Sequence, residues 1–279
     1  MTQLLWNRVI RVRIRHKNSE AVFTYRNKEQ GIYEIHFSVP FSDQAKPTEC
    51  SVSIYNLSKT SRSKIRKGAT VTIEAGYKGD IGVIAKGTIN KVQPSALKGV
   101  DRITSFTFLE GVDYSKKRDV NITFAAGTKG RTIIRRVASV AKIPISVINI
   151  PDKNNKVYKK GYTANGGGFA ILEEVAEDCK VAMYYRRGNI MIRPITSGDD
   201  ERFTLNTDTG LVSSPQPFES NKKWGWEIES LLQHRIATAS IIDLRSKSVR
   251  GRFRVKNGTH SFDGSNFITS CEVIANARK

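Results

Sequence analysis

The sequence predicts a mainly β protein in which two barrel-like β domains flank a small α+β region, and three observations point there. Short runs rich in Val, Ile, Thr, Phe and Tyr recur through residues 1–115 and again after residue 200, with turn-forming residues between them. Between these two parts the apolar period changes from two to the helical spacing. The 279 residues, 39% hydrophobic and 26% charged, have a globular composition with material for more than one core. The expected division is 1–115 (first barrel), 116–200 (α+β insert) and 201–279 (second barrel).

In the first part, strands are expected at 9–16, 32–39, 50–57, 70–77, 82–92 and 102–109. Asp43 with Pro47, Lys67-Gly68, Gly79-Asp80 and the stretch from Pro94 to Gly99 supply the turns between them. Six short, closely spaced strands favour a barrel or sandwich. In the middle part, Ile133, Ile134, Val137, Val140 and Ala141 fall at helical spacing after the start signal Gly127-Thr128, so a helix is expected over 128–141, ended by Pro144. An apolar strand at 145–150, a polar loop at 151–160 and a second helix at 168–179 follow. In that helix Phe169, Leu172, Val175 and Ala176 oppose Glu173, Glu174 and Glu177. A hairpin at 181–185 and 190–193 turns at Arg187-Gly188-Asn189. In the last part, strands are expected at 203–206, 224–228, 240–245, 251–255 and 267–274.

The net charge is +20, from 46 Lys and Arg against 26 Asp and Glu. Residues 1–115 hold 18 basic and 10 acidic side chains, residues 116–197 hold 16 and 6, and residues 198–279 hold 12 and 10. An excess spread over two thirds of the chain is unlike a single basic arm or recognition helix. The dense runs, Lys64, Arg66, Lys67 and Lys116, Lys117, Arg118 and Lys159, Lys160, have the size of solvated loops. One stretch differs: Ile10, Val12 and Ile14 alternate with Arg11, Arg13 and Arg15, which gives a strand with one apolar and one all-arginine face. Three guanidinium groups on one face repel one another unless solvent or an acidic group lies opposite, so this face is either solvated or matched to an acidic partner or polyanion. Trp224, Trp226 and Ile228 also alternate, placing two indoles on one face for core or inter-subunit packing.

No window approaches the ~18 apolar residues of a membrane helix, and the N-terminus lacks the apolar region of a secretory signal, so a product kept in the cytosol, or leaving it by lysis or a dedicated route, is expected. Cys50, Cys179 and Cys271 are far apart and form no Cys-x-x-Cys pair; His16, His36, His234 and His260 share no ligand spacing. Neither a metal nor another cofactor is expected. Asn165-Gly166-Gly167-Gly168 precedes a helix but lacks the Lys-Ser/Thr pair of a phosphate loop, and reads as a flexible helix entry. The acidic pair Glu173-Glu174 and the run Asp199-Asp200-Glu201 read as a helix surface and a loop. No catalytic elbow, zinc finger or RNA-binding motif is present.

The stretch Cys50-Ser51-Val52-Ser53-Ile54-Tyr55-Asn56-Leu57-Ser58, then Lys67-Gly68, Val71-Thr72-Ile73-Glu74-Ala75-Gly76-Tyr77 and Lys86-Gly87-Thr88-Ile89, resembles the first barrel of tailed-phage baseplate hub proteins, the late-control D-like family. Thr209 to Pro215, Leu231-Leu232, Arg254-Val255 to His260 and Cys271-Glu272 resemble that family's closing barrel, and the two helices stand where it has its small α+β domains. The resemblance implies a homotrimeric ring, two barrels per subunit giving six quasi-equivalent positions, which adapts a six-fold tail tube to a three-fold spike or tip and passes the genome at ejection. Implied partners are the tail tube protein, the spike or tip protein, other baseplate proteins and the tape-measure protein, with viral DNA only in transit. It implies a virion location in the baseplate or tail tip and host cytoplasm during assembly; with no catalytic constellation in the residues no enzymatic activity is expected, and the chain is expected to depart from some related tail proteins in lacking a peptidoglycan-hydrolase extension after the second barrel. Arg11, Arg13 and Arg15, with Trp224 and Trp226, are the expected partner contacts. The rival expectation, resting on the +20 charge alone, is a basic nucleic-acid-binding protein with steeply salt-dependent affinity.

Overall fold

The alternation near the N-terminus is realised as β1 (Arg8–His16), with Ile10, Val12 and Ile14 buried and Arg13 and Arg15 exposed. The structure, a computed structural model, describes residues 7–26, 31–114, 119–194, 202–220 and 223–275. The runs Lys116-Lys117-Arg118 and Asp199-Asp200-Glu201 and the first six residues lie outside the described residues. After β1 come β2 (Ser19–Thr24), β3 (Ile35–Phe41), β4 (Glu49–Tyr55), the short helix α1 (Lys59–Ser63) and β5 (Thr70–Tyr77). Then follow β6 (Asp80–Val92), β7 (Ala96–Lys98) and β8 (Asp101–Glu110).

Their order in space is β3-β4-β8-β6-β5-β1-β2, all antiparallel, with β7 beside β8. A parallel bridge from Tyr25, just past β2, to Tyr33, just before β3, brings the two ends of this run together. The enclosed core contains Val12, Ile35, Ile54, Ile73, Ile89, Phe106 and Phe108. β2 was not expected, because only Phe23 of its six residues is buried. Its register comes from pairing with β1 rather than from an apolar alternation of its own.

The middle part runs β9 (Asp119–Phe124), β10 (Thr128–Lys129), α2 (Gly130–Ala141), β11 (Ile145–Ile148), β12 (Val157–Tyr158), β13 (Tyr162–Gly167), α3 (Gly168–Asp178), β14 (Ala182–Arg186) and β15 (Asn189–Arg193). Helices α2 and α3 bury Ile133, Ile134 and Val137 with Leu172, Val175 and Ala176 in one core. No side chain of its own caps α2; instead the Gly130 N–H donates to the Lys156 carbonyl (2.8 Å) and the Arg131 N–H to Asn155 Oδ1 (3.0 Å). The polar stretch expected as a plain loop therefore supplies the helix start with acceptors. Gly130 fits there because a Cβ would collide with Cys179 Sγ. The helix stops before Pro144: Lys142 takes the left-handed conformation (φ 53°) and returns its N–H to the last turn. Asn165, Gly166 and Gly167 prove to be strand, paired with Asn121, Val120 and Asp119 of β9.

The last part comprises β16 (Arg202–Leu205), β17 (Gln216–Ser220), β18 (Lys223–Leu231), β19 (Ile241–Arg245), β20 (Arg250–Phe262) and β21 (Phe267–Ala275). The order β17-β18-β21-β20 continues directly into β3 of the first part, and β16 lies parallel to β19. The first half of β20 pairs with β19 and the second half with β3, from Gly258 opposite Phe41 to Phe262 opposite Phe37. Between the halves, an irregularity at Val255 to Asn257 re-aims the strand. Only 251–255 was expected as strand, because Lys256 to Ser261 shows no apolar alternation; it is held by neighbours on both sides. Phe262, Phe267 and Leu232 consequently fill the first core, while Phe41 joins Leu205, Ile242, Val255 and Val273 in the last.

Candidate functional site

The arginine face of β1 is exposed but internally compensated. Arg15 stands opposite Glu20 of β2, and Arg13 opposite Val22. Glu20 accepts from Arg15 Nη2 at 2.9 Å and also from Arg13 Nη1. Hydrogen bonds from Arg15 and then Arg13 hold the Glu20 carboxyl below the usual carboxylate range. Arg11 pairs in register with Glu74 of β5 on the other side. The face is therefore a cationic strip threaded by two carboxylates, which lowers the mutual repulsion of the guanidinium groups and leaves a net positive surface.

On the opposite end of the large sheet, Trp224 and Trp226 share one face of β18. Trp226 packs against the last core, whereas Trp224 extends past it, 69% exposed, opposite Glu219 of β17. The apolar face of this hairpin thus runs beyond the core it covers. A single exposed indole set beside a carboxylate is an arrangement suited to a protein contact.

A third feature, unread in the sequence, ties the three parts together at the β14–β15 turn. The Arg187 guanidinium donates to the His234 carbonyl (2.7 Å), and the Gly188 N–H to the Glu110 carboxylate (3.3 Å), which also accepts from Thr48 Oγ1 (3.1 Å). Burial pushes the Glu110 carboxyl up despite these bonds. Gly188 has φ 84°, and a Cβ there would stand 2.5 Å from the Lys86 carbonyl oxygen. Nearby, Asp80 at the start of β6 accepts from His234 Nε2 (2.9 Å) and from both terminal nitrogens of Arg235 (2.7 Å each). No short-range sequence signal marks this junction, since its residues are separated by up to 155 positions.

Burial alone would raise the Asp80 carboxyl, but the hydrogen bonds and charges of Arg235 and His234 outweigh it and bring it down from 3.8 to about 2. A carboxylate held below its unfolded value stabilises the fold above about pH 4, and that stability is lost as the pH falls toward 2. Asp80→Asn is expected to remove about 2 kcal/mol of this acid-sensitive stability. Urea midpoints at pH 6 and pH 3 check it: the loss on acidification should be smaller in the variant.

The remaining chemistry-bearing residues do not converge. Cys50, Cys179 and Cys271 are buried and unbonded, one in each of the three cores, with burial raising every thiol. Among the described residues, no three His, Cys, Asp or Glu side chains gather in a way that could hold a metal ion. Immediately before α3, Gly167 is held in strand pairing opposite Asp119 instead of forming an open phosphate-binding loop. No helix among the described residues is long and apolar enough to cross a membrane.

Residues 20–256 match the sequence profile of a family described as baseplate hub gp41. The chain belongs to this baseplate hub family. The hub family's role is structural, and it places the chain in the tail of a virion. A comparison with curated protein sequences finds no match. Among solved structures, the hub chain is similar to a tail protein from Neisseria meningitidis MC58 at 8% identity and a TM-score of 0.66, over 97% of each chain. It is also similar to the 43 kDa tail protein of prophage MuSo2 from Shewanella oneidensis, at 10% identity and 0.63, over 96% of this chain and 98% of that one. A third similar structure is the Escherichia coli c3393 protein, a type VI secretion component described as resembling the phage T4 tail proteins gp27 and gp5. It aligns at 8% identity and 0.62, over 90% of this chain and 76% of that one. Identities this low establish a shared fold, and that fold is the phage tail hub architecture expected from the Ile54-Tyr55-Asn56-Leu57 and Gly76-Tyr77 strands.

Proposed function

We propose that three copies of this chain form the ring at the centre of the baseplate, joining a six-fold tail tube to a three-fold spike or tip and leaving a passage for the genome. The observation that carries this reading is the match to a hub family along residues 20–256 of a chain whose entire fold is that of tail proteins. Two β cores per chain support it further: three subunits then offer six similar β units to a six-fold neighbour. The division into 1–115, 116–200 and 201–279 is part of the proposal. So are the partners: the tube, spike, tape-measure and other baseplate proteins, with assembly in the host cytoplasm. No enzymatic step is assigned.

Within the ring, Arg11, Arg13 and Arg15 meet an acidic face of a neighbouring virion protein, and Trp224 with Trp226 completes a contact between subunits or with a second partner. The strip stays positive after its pairing with Glu20, and the exposed Trp224 indole continues a buried apolar face.

The test combines oligomeric mass with assembly. The purified chain is expected to give trimers by mass photometry and ring-shaped particles under the electron microscope, alone or with its tube protein. Reversing Arg11, Arg13 and Arg15 to Glu is expected to leave the circular dichroism spectrum unchanged and to cut incorporation into tails by an order of magnitude. Normal tail assembly by the triple variant would overturn the role given to this strip. Tight, salt-resistant DNA binding by a monomer would favour the nucleic-acid reading instead.

A further inference from the structure

The insert carries a small sheet of its own, ordered β11-β15-β14, and β11 is one of its two outer strands. Edge strands expose unpaired N–H and C=O groups, and proteins ordinarily blunt them with proline, charge or brevity. The large sheet follows that practice: β17 has Pro217 at its second position and Glu219 near its end, and β7 is three residues long. β11, four residues long and preceded by Pro144, is short as well, but it holds no proline and no charge within its span. Its sequence is Ile-Ser-Val-Ile, and Ile145, Val147 and Ile148 are each only half-buried.

Beside β11 runs a groove of about 550 Å³, bounded by the second half of α2 and lined by Arg135, Ala138, Lys142, Ile143, Ile145 and Ile148. Its floor is apolar and its charged lining is cationic. No carboxylate lines it, and among the described residues none lies within ion-pair distance of Arg135 or Lys142. Arg136, on the same exposed side of α2, adds to the positive field. An uncharged edge, apolar side pockets and two flanking cations together specify an occupant: a short extended segment, alternately apolar and acidic.

We propose that β11 is a docking edge that takes an acidic, extended segment of another protein as a fourth strand of this sheet. Apolar side chains of that segment enter the groove, and its carboxylates meet Arg135 and Lys142. The inference rests on this groove and is independent of the ring described above.

The probe is a capped, fluorescent heptapeptide of alternating Glu and Val, with a Lys–Val peptide as its opposite, titrated against the full chain by anisotropy. The Glu peptide is expected to bind saturably and at least tenfold more tightly than the Lys peptide. Arg135→Glu with Lys142→Glu, both on exposed positions, is expected to weaken it at least tenfold and to leave circular dichroism unchanged. A chain of charge +20 attracts acidic peptides in many places, so location decides. In the wild-type complex, hydrogen exchange is expected to slow at the amides of residues 145–148. Protection confined to other segments, or affinity unaltered by the double reversal, would overturn the proposal even if binding occurs.

Discussion

Replacing Phe262 by Ala is expected to destabilise the first barrel more than the last part of the chain, in which the residue is encoded. Phe262 is 1% exposed and packs edge-on against Tyr25, His36 and Phe267, with the Arg8 guanidinium 5.5 Å from its ring centre. Truncating a buried phenylalanine costs about 3–5 kcal/mol, the sum of lost transfer energy and an unfilled cavity. The cavity would open among Phe37, Tyr25 and Phe267, on the side of the barrel closed by the Tyr25–Tyr33 bridge. Hydrogen exchange should therefore rise most in β2, β3 and β4 and least in β16 and β19. A uniform rise, or one confined to β19 and β20, would refute this division of the packing.

The second large effect is on pH dependence and centres on His260. The ring is 1% exposed, stacks obliquely on Phe41 at 5.0 Å and shares a 2.8 Å hydrogen bond with Thr269 Oγ1. Burial, aided by the positive charges of Arg187 and His234, brings its pKa down from 6.5 to about 3, outweighing a backbone hydrogen bond to Ile236. The folded state keeps this imidazole neutral while the unfolded chain protonates it, so stability falls as the pH drops from about 6.5 toward 3. At pH 4 the loss from this group alone is about 3 kcal/mol. His260→Leu keeps a comparable volume, costs about 1 kcal/mol at neutral pH through the Thr269 hydroxyl, and removes the acid-dependent part. The wild type should have the higher urea midpoint at pH 7, the two should cross at about pH 6, and at pH 4 the variant should be the more stable by about 2 kcal/mol. Parallel decline with pH in both would show that other groups dominate.

How far the sequence foretold this molecule depends on which kind of order each residue obeys. β5 emerges with its expected bounds, and α2 and α3 within two residues, because their apolar periods are strong and local. β2, β7, β17 and the second half of β20 escaped notice because their residues are largely polar or exposed, and their pairing is imposed by neighbours. The arginine face was legible from Ile10 to Arg15 alone. Its compensation by Glu20 was not, since a strand partner five residues from Arg15 requires knowing that the chain turns back at Lys17. The alternation of Trp224, Trp226 and Ile228 gave the shared face but not the depth, which depends on where the core beneath β18 ends. The Glu110–Gly188–Arg187–His234 junction left no trace in sequence, because it depends on tertiary contacts between residues distant in the chain.

The long β20 strand also has a bearing on synthesis. Residues 35–110 leave the ribosome with most of their barrel, but Phe262 and Phe267, which complete its core, are translated more than 150 positions later. At about 5–20 residues per second, that barrel waits roughly 10–30 seconds with an open side and an unpaired β3 edge. A product truncated before Phe262 therefore lacks two residues of the first barrel's core and leaves the β3 edge without its β20 partner, so the first barrel cannot be completed until nearly the whole chain has been made.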